Sequence, residues 1–174
     1  SAALDPLGFQ LLRDVGPAEA IIRHSVGGAV TGYVLSRGAA VNKAVLLAPH
    51  IVVEDLALAS IAQAREAYLQ SDLRGRLARH HDDPDSAFWG WNDIWLHPPF
   101  RHWSIEAEIA AIRCPVLAVQ GLDDEYGTLE QIRGIARRVP QTRLLEMPDC
   151  GHSAQHDQPE AVIAACTAFI QEHR

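Results

Sequence analysis

Four short apolar runs punctuate this sequence: Ala20-Ile21-Ile22, Ala44-Val45-Leu46-Leu47-Ala48, Val116-Leu117-Ala118-Val119 and Leu144-Leu145. Each is bounded by turn or polar residues, and none alternates apolar with polar as a strand with one wet face would. Runs of this kind fit parallel strands covered on both sides. Stretches with helical spacing follow them, Val30 to Leu35 after the first run, Leu129 to Val139 after the third and Glu160 to Ile170 after the fourth. In the middle one, Thr128 and Gln131 stand in capping-box register, and Leu129, Ile132, Ile135, Ala136 and Val139 share about one face. The last opens at Pro159, where a missing N–H costs nothing. Strand then helix, repeated, predicts an α/β domain of about four parallel strands with flanking helices.

The chain's 174 residues, 48% hydrophobic and 21% charged, suffice to bury a core without disulfides or a metal. A formal net charge of −7 has the wrong sign for phosphate backbones, so nucleic acid is not an expected partner. Nor is a membrane, because the longest apolar run, Ala44 to Pro49, is strand-sized. Cys114, Cys150 and Cys166 are odd in number and lack metal-like spacing, which predicts free thiols in a reducing, cytoplasmic compartment. The run His80-His81-Asp82-Asp83 has metal-ligand residue types, but successive side chains diverge, so it reads as a solvated turn and no metal is expected.

Between the second and third runs lies an insertion, Ile51 to Ile112, that holds all four tryptophans, Trp89, Trp91, Trp95 and Trp103. Helical patterning covers Glu54 to Gln70 and Leu73 to His80, and Pro98-Pro99 ends any continuation. The tryptophans read either as the core of a small helical subdomain or as walls of a substrate pocket, with Trp89, Trp91 and Trp95 the candidates for the second role.

Three segments carry residues with chemical potential. The first run leads through Arg23-His24-Ser25-Val26-Gly27-Gly28 into a helix, a strand–turn–helix context that would expose the Ser25 oxygen at a helix N-terminus. Gly27 is expected to allow the tight backbone and Gly28 the close approach of helix and strand; a simple N-cap serine is the other reading of Ser25. The third run ends in Gln120-Gly121-Leu122-Asp123-Asp124-Glu125, acids at the carboxyl end of a strand, where open α/β sheets place their sites. After the fourth run, Cys150-Gly151-His152-Ser153 puts a histidine on the corresponding loop. Ser, Asp and His thus appear in order, each just past a different strand. Cys150 sits too near His152 in sequence to meet it as a thiol nucleophile.

These segments resemble the α/β-hydrolase-fold serine hydrolases of the bacterial esterase-like, capped type. Arg-His-Ser-Val-Gly-Gly matches the Gly-x-Ser-x-Gly elbow, Cys114 to Asp124 the acid strand, and Gly151-His152-Ser153 with Asp157-Gln158-Pro159-Glu160 the histidine loop and following helix. The resemblance implies a hydrolase core of residues 1–50 and 113–174, with residues 51–112 as a helical cap. It implies Ser25 as nucleophile, His152 as general base and Asp124 as orienting acid, with Asp123 the alternative. It also implies the Val26 N–H as an oxyanion-hole donor, small carboxylic esters as substrates, and no cofactor.

Two departures from the family pattern carry expectations of their own. Only 20 residues precede Ile21, so the resemblance implies an N-terminally truncated fold. Leu4 to Val15 would match the helix before the elbow strand, and the loop that supplies the second oxyanion donor would be missing. The Ala20 to Arg23 strand would then be an exposed edge, which predicts a homodimer. The same loss supports a rival reading, a catalytically impaired half-hydrolase acting as a self-associating interaction protein. The second departure is Arg23 in place of the elbow's first glycine, from which a strained or shifted turn is expected.

Overall fold

The computed structural model describes residues 19–172, so the stretch matched to the helix before the elbow strand lies outside the described residues. Four strands, β1 (Ile21–His24), β2 (Ala44–Leu47), β3 (Val116–Gly121) and β4 (Thr142–Met147), form one sheet in the order β1-β2-β3-β4. Every neighbouring pair is parallel, in the registers Ile21–Ala44, Ala44–Val116 and Val116–Thr142. Among the described residues β1 is the outer strand on its side, and its Ile22 is 43% exposed.

The uninterrupted apolar character of β2 and β3 follows from their burial on both faces. Ala44, Leu46, Val116 and Ala118 face one layer, packed against Ala29 and Leu35 of α1 (Val26–Ser36) and against Ile132 and Ile135 of α6 (Glu130–Arg138). Val45, Leu47, Leu117 and Val119 face the other, packed against Ala154 of α7 (Ala154–Asp157) and Val162, Cys166 and Phe169 of α8 (Pro159–Gln171). Lys43 caps α8 by donating from Nζ to the carbonyls of Phe169, Ile170 and Glu172, placing a cation where the helix's last carbonyls need donors.

The chain between β2 and β3 forms α2 (Asp55–Gln70), α3 (Leu73–Leu77), α4 (Pro84–Leu96), a 3-10 turn at Pro98–His102 and α5 (Glu106–Ile109). Its two ends meet in a neck, where Val52 bridges Ser104 and the Ile105 N–H donates to the Ile51 carbonyl. Ile105, Ile109 and Ile112 return to the sheet's core, while Ala57, Ile61 and Trp95 centre a separate cluster. The predicted second helix stops three residues early, at Leu77, and α4 has no counterpart in the sequence reading. Its start is marked by Asp83, whose carboxylate accepts the Ser86 N–H, and by Pro84 in the first turn. Asp83 of the His80 to Asp83 run therefore acts as a helix cap.

The predicted capping box does not form. Gln131 is fully buried and turns to the neck, accepting from the Ile51 and Val52 N–H groups and donating to the Val52 carbonyl and the Glu54 carboxylate. Glu54 in turn accepts the Thr128 N–H and hydroxyl. The orphan amide groups at the neck outcompete the local cap because they are buried and have no water to turn to. No helix among the described residues is long and apolar enough to cross a membrane.

Candidate active site

The carboxyl ends of the strands carry unusual backbone. Ser25 after β1, Ala48 after β2 and Asp149 after β4 have φ of 54°, 45° and 50°, a region that costs a non-glycine residue roughly 1–3 kcal/mol. At the end of β3 the same crowding demands a glycine, since a Cβ on Gly121 would collide with the Cys150 carbonyl. Gly121→Ala is therefore expected to destabilise the protein by about 3 kcal/mol, read from chemical unfolding, because backbone rather than a flexible side chain must move. An unchanged unfolding midpoint would show that the loop after β4 shifts freely.

The elbow forms without glycine at its first position. Ser25 itself takes the strained conformation (φ 54°, ψ −128°), and its N–H donates to the Leu47 carbonyl. Contrary to expectation, Gly27 needs no positive φ. Nor does it clear space, since a Cβ there would make only ordinary contact, 3.6 Å from Arg23 Cδ. Arg23 runs outward past Gly27 to the exposed side of β1 and donates from Nη1 to the Ile22 carbonyl. No register shift follows. Gly28 is tighter, because a Cβ there would come within 2.9 Å of Pro49 Cβ. The helix is thus drawn against the turn after β2.

Around Ser25 the loops after β3 and β4 converge. Ser25 Oγ lies 2.9 Å from His152 Nε2, and His152 Nδ1 lies 2.9 Å from Asp124 Oδ1 and 3.1 Å from Oδ2. A carboxylate can only accept, so the imidazole proton sits on Nδ1 and the Nε2 lone pair faces the serine hydroxyl, which donates to it. The Asp124 side chain is 1% exposed, whereas neighbouring Asp123 is exposed, so of the two acids Asp124 meets the histidine. The Val26 amide opens α1 and is among those that have no acceptor within their own helix.

The His152 peptide is held from both sides. Its carbonyl accepts from His24 Nε2, 2.9 Å away, and its N–H donates to Glu125 Oε2, while the Gly151 N–H donates to Asp157. Tyr126, whose N–H donates to Asp124 Oδ1, sets its ring edge-on to His152 at 4.9 Å. His24, Glu125 and the Tyr126 ring were not legible as site features, because only the meeting of the β1, β3 and β4 ends gives them partners. Cys150 is 2% exposed, and burial pushes its thiol above the ordinary range, the opposite of what a nucleophilic thiol needs.

The three candidate tryptophans part company. Trp95 packs edge-on against His50 at 4.9 Å, and His50 lies 5.8 Å from the His152 ring. Trp91 joins the cluster around Trp95, but Trp89 packs on Tyr68 and Phe88 under the Arg65 guanidinium. The structure brings no residue of the Ser25 group to Trp89.

His50 follows the bent Ala48-Pro49 turn and is 4% exposed, and burial drives its pKa down to about 4. The unfolded chain binds this proton near pH 6.5, so the contribution of neutral His50 to stability is complete above that pH. It is lost as the pH falls towards about 4, by about 3 kcal/mol. His50→Phe should therefore melt with a shallower dependence on pH than the native protein between pH 6.5 and 4. Parallel Tm curves would show that His50 is not held neutral.

A family model described as the alpha/beta hydrolase family matches residues 2–165. The chain belongs to the alpha/beta hydrolase family. Solved structures of the same fold include a serine hydrolase involved in carbazole degradation, CarC, at 20% identity and a TM-score of 0.70, covering 92% of this hydrolase and 67% of that chain. A thermophilic esterase from Thermogutta terrifontis matches at 19% identity and a TM-score of 0.60, covering 96% and 70%. A structure from a study of carboxylesterases of Nitrososphaera gargenis matches at 15% identity and a TM-score of 0.68, covering 92% and 70%. No curated protein matches the sequence.

Proposed function

We propose that this alpha/beta hydrolase cleaves small carboxylic esters through an acyl-enzyme on Ser25. The observation that carries the reading is the unbroken hydrogen-bond chain from Ser25 Oγ through the His152 ring to the buried Asp124 carboxylate. In the first step His152 Nε2 takes the serine proton as Oγ attacks the ester carbonyl, and the Val26 N–H stabilises the oxyanion. Asp124 holds the proton on Nδ1 and balances the imidazolium. His152 then returns its proton to the leaving alkoxide, releasing the alcohol and leaving the acyl group on Oγ. In the second step His152 deprotonates water, which attacks the acyl carbon; the acid departs and Ser25 recovers its proton. The esterase and carboxylesterase neighbours favour an oxygen ester as substrate. Residues 51–112 are read as the cap over the pocket, with Trp95 and Trp91 in its wall.

A fluorophosphonate probe reacts only with an activated serine and so tests this reading. Stoichiometric labelling mapped to the Ser25 peptide, together with turnover of a short p-nitrophenyl ester, is expected. Absence of both from folded protein would reject the reading and favour the self-associating, catalytically impaired alternative.

A further inference from the structure

Gln120 is the penultimate residue of β3 and is 1% exposed. Its Nε2 donates to Asp124 Oδ2 at 3.1 Å and to the Gly127 carbonyl at 2.7 Å. Both neighbours can only accept, so they fix which end of the amide is the nitrogen. The other end, Oε1, is buried with no hydrogen-bond partner among the described residues.

That arrangement carries a cost in stability at Oε1. The rest of the buried strand is apolar, Val116-Leu117-Ala118-Val119, and an apolar side chain at position 120 would remove the unpaired Oε1 but strip the Gly127 carbonyl and Asp124 Oδ2 of a donor. What the amide accomplishes is geometric. The Asp124 carboxylate receives the Tyr126 N–H on Oδ1, the Gln120 N–H on Oδ2 and His152 Nδ1–H across both oxygens. Without Gln120 its plane is anchored on the protein side at Oδ1 alone and can rotate about Cβ–Cγ. The second bond, to Gly127, ties the 124–127 turn back to the strand, and a glycine stands at 127 where a Cβ would crowd Gln120 Nε2 at 3.2 Å.

We infer that Gln120 is a positioning residue for the reaction, locking the plane of the Asp124 carboxylate so that it holds His152 in register with Ser25. The inference rests on the hydrolase reading above. It acts through Asp124, and touches no substrate.

Gln120→Met keeps the length and unbranched shape while removing both N–H bonds. A hydrogen bond to a charged group corresponds to about 10- to 100-fold in rate, so kcat is expected to fall by that factor with KM within about 2-fold. In an Asp124→Ala background the same substitution should change kcat by less than about 2-fold, because the side chain it orients is already gone. An equal loss in both backgrounds would overturn the inference, since a merely structural role is blind to Asp124. So would full kcat in Gln120→Met when Ser25→Ala is inactive, an outcome that leaves the hydrolase reading intact. The low-field proton resonance of the His152 to Asp124 bond gives a readout independent of turnover. It should shift or broaden in folded Gln120→Met, and an unmoved resonance overturns the inference even if the native protein hydrolyses no ester.

Discussion

Ser25→Ala protein is expected to hydrolyse a short p-nitrophenyl ester about 10⁶-fold more slowly than the native chain, because no oxygen remains for His152 to activate. His152→Ala should lose nearly as much, and the double variant little more than either, since the two act as one unit. Ser25→Gly separates chemistry from folding. The Ser25 backbone (φ 54°, ψ −128°) is strained for any residue with a Cβ, so glycine should be as inactive as alanine yet raise stability by about 1 kcal/mol. Chemical unfolding of the three proteins checks the second part. Undiminished turnover by Ser25→Ala would show that another group attacks the ester.

Asp124→Asn is the second large effect, about 10⁴-fold in kcat. The amide can turn a donor towards His152, which favours the tautomer with its proton on Nε2 and so removes the lone pair that faces Ser25 Oγ. Asp123→Asn is the control. Its side chain is exposed and its backbone N–H, which donates to the Cys150 carbonyl, is untouched by the change. It should stay within about 2-fold of native. If Asp123→Asn were the more damaging of the pair, the orienting role given to Asp124 would be wrong.

Much of this architecture could be read from the chain because parallel strands buried on both faces need unbroken apolar runs, and β2 and β3 supply them. Position along the chain also brought the candidate group together, since Ser25, Asp124 and His152 each follow a strand whose carboxyl end opens onto the same edge. What escaped was whatever depends on three-dimensional neighbours. Gln131 looks like a local cap in one dimension and is a buried clamp on the neck in three. Arg23 looks like an intruder in the elbow until the open side of β1 is seen to make room for it. Trp89 and Trp95 share one helix, α4, yet only Trp95 faces the cluster that includes Tyr126 and borders His50. The periodicity of α4 was masked because its aromatic residues cover more than one face; its Asp-Pro start was the better signal.

The in-order parallel sheet has a kinetic consequence. With no hairpin among its described strands, each pairing must wait for a crossover to be laid down, and the β2 to β3 pairing closes a loop from residue 47 to residue 116. Ser25 and His152 stand 127 positions apart, at opposite ends of that sequence of events. Folding should accordingly be slow for a domain of this size, with Ser25 meeting His152 only after the last strand has docked. Probe labelling during refolding would then track β4 pairing, lagging behind the recovery of helical signal.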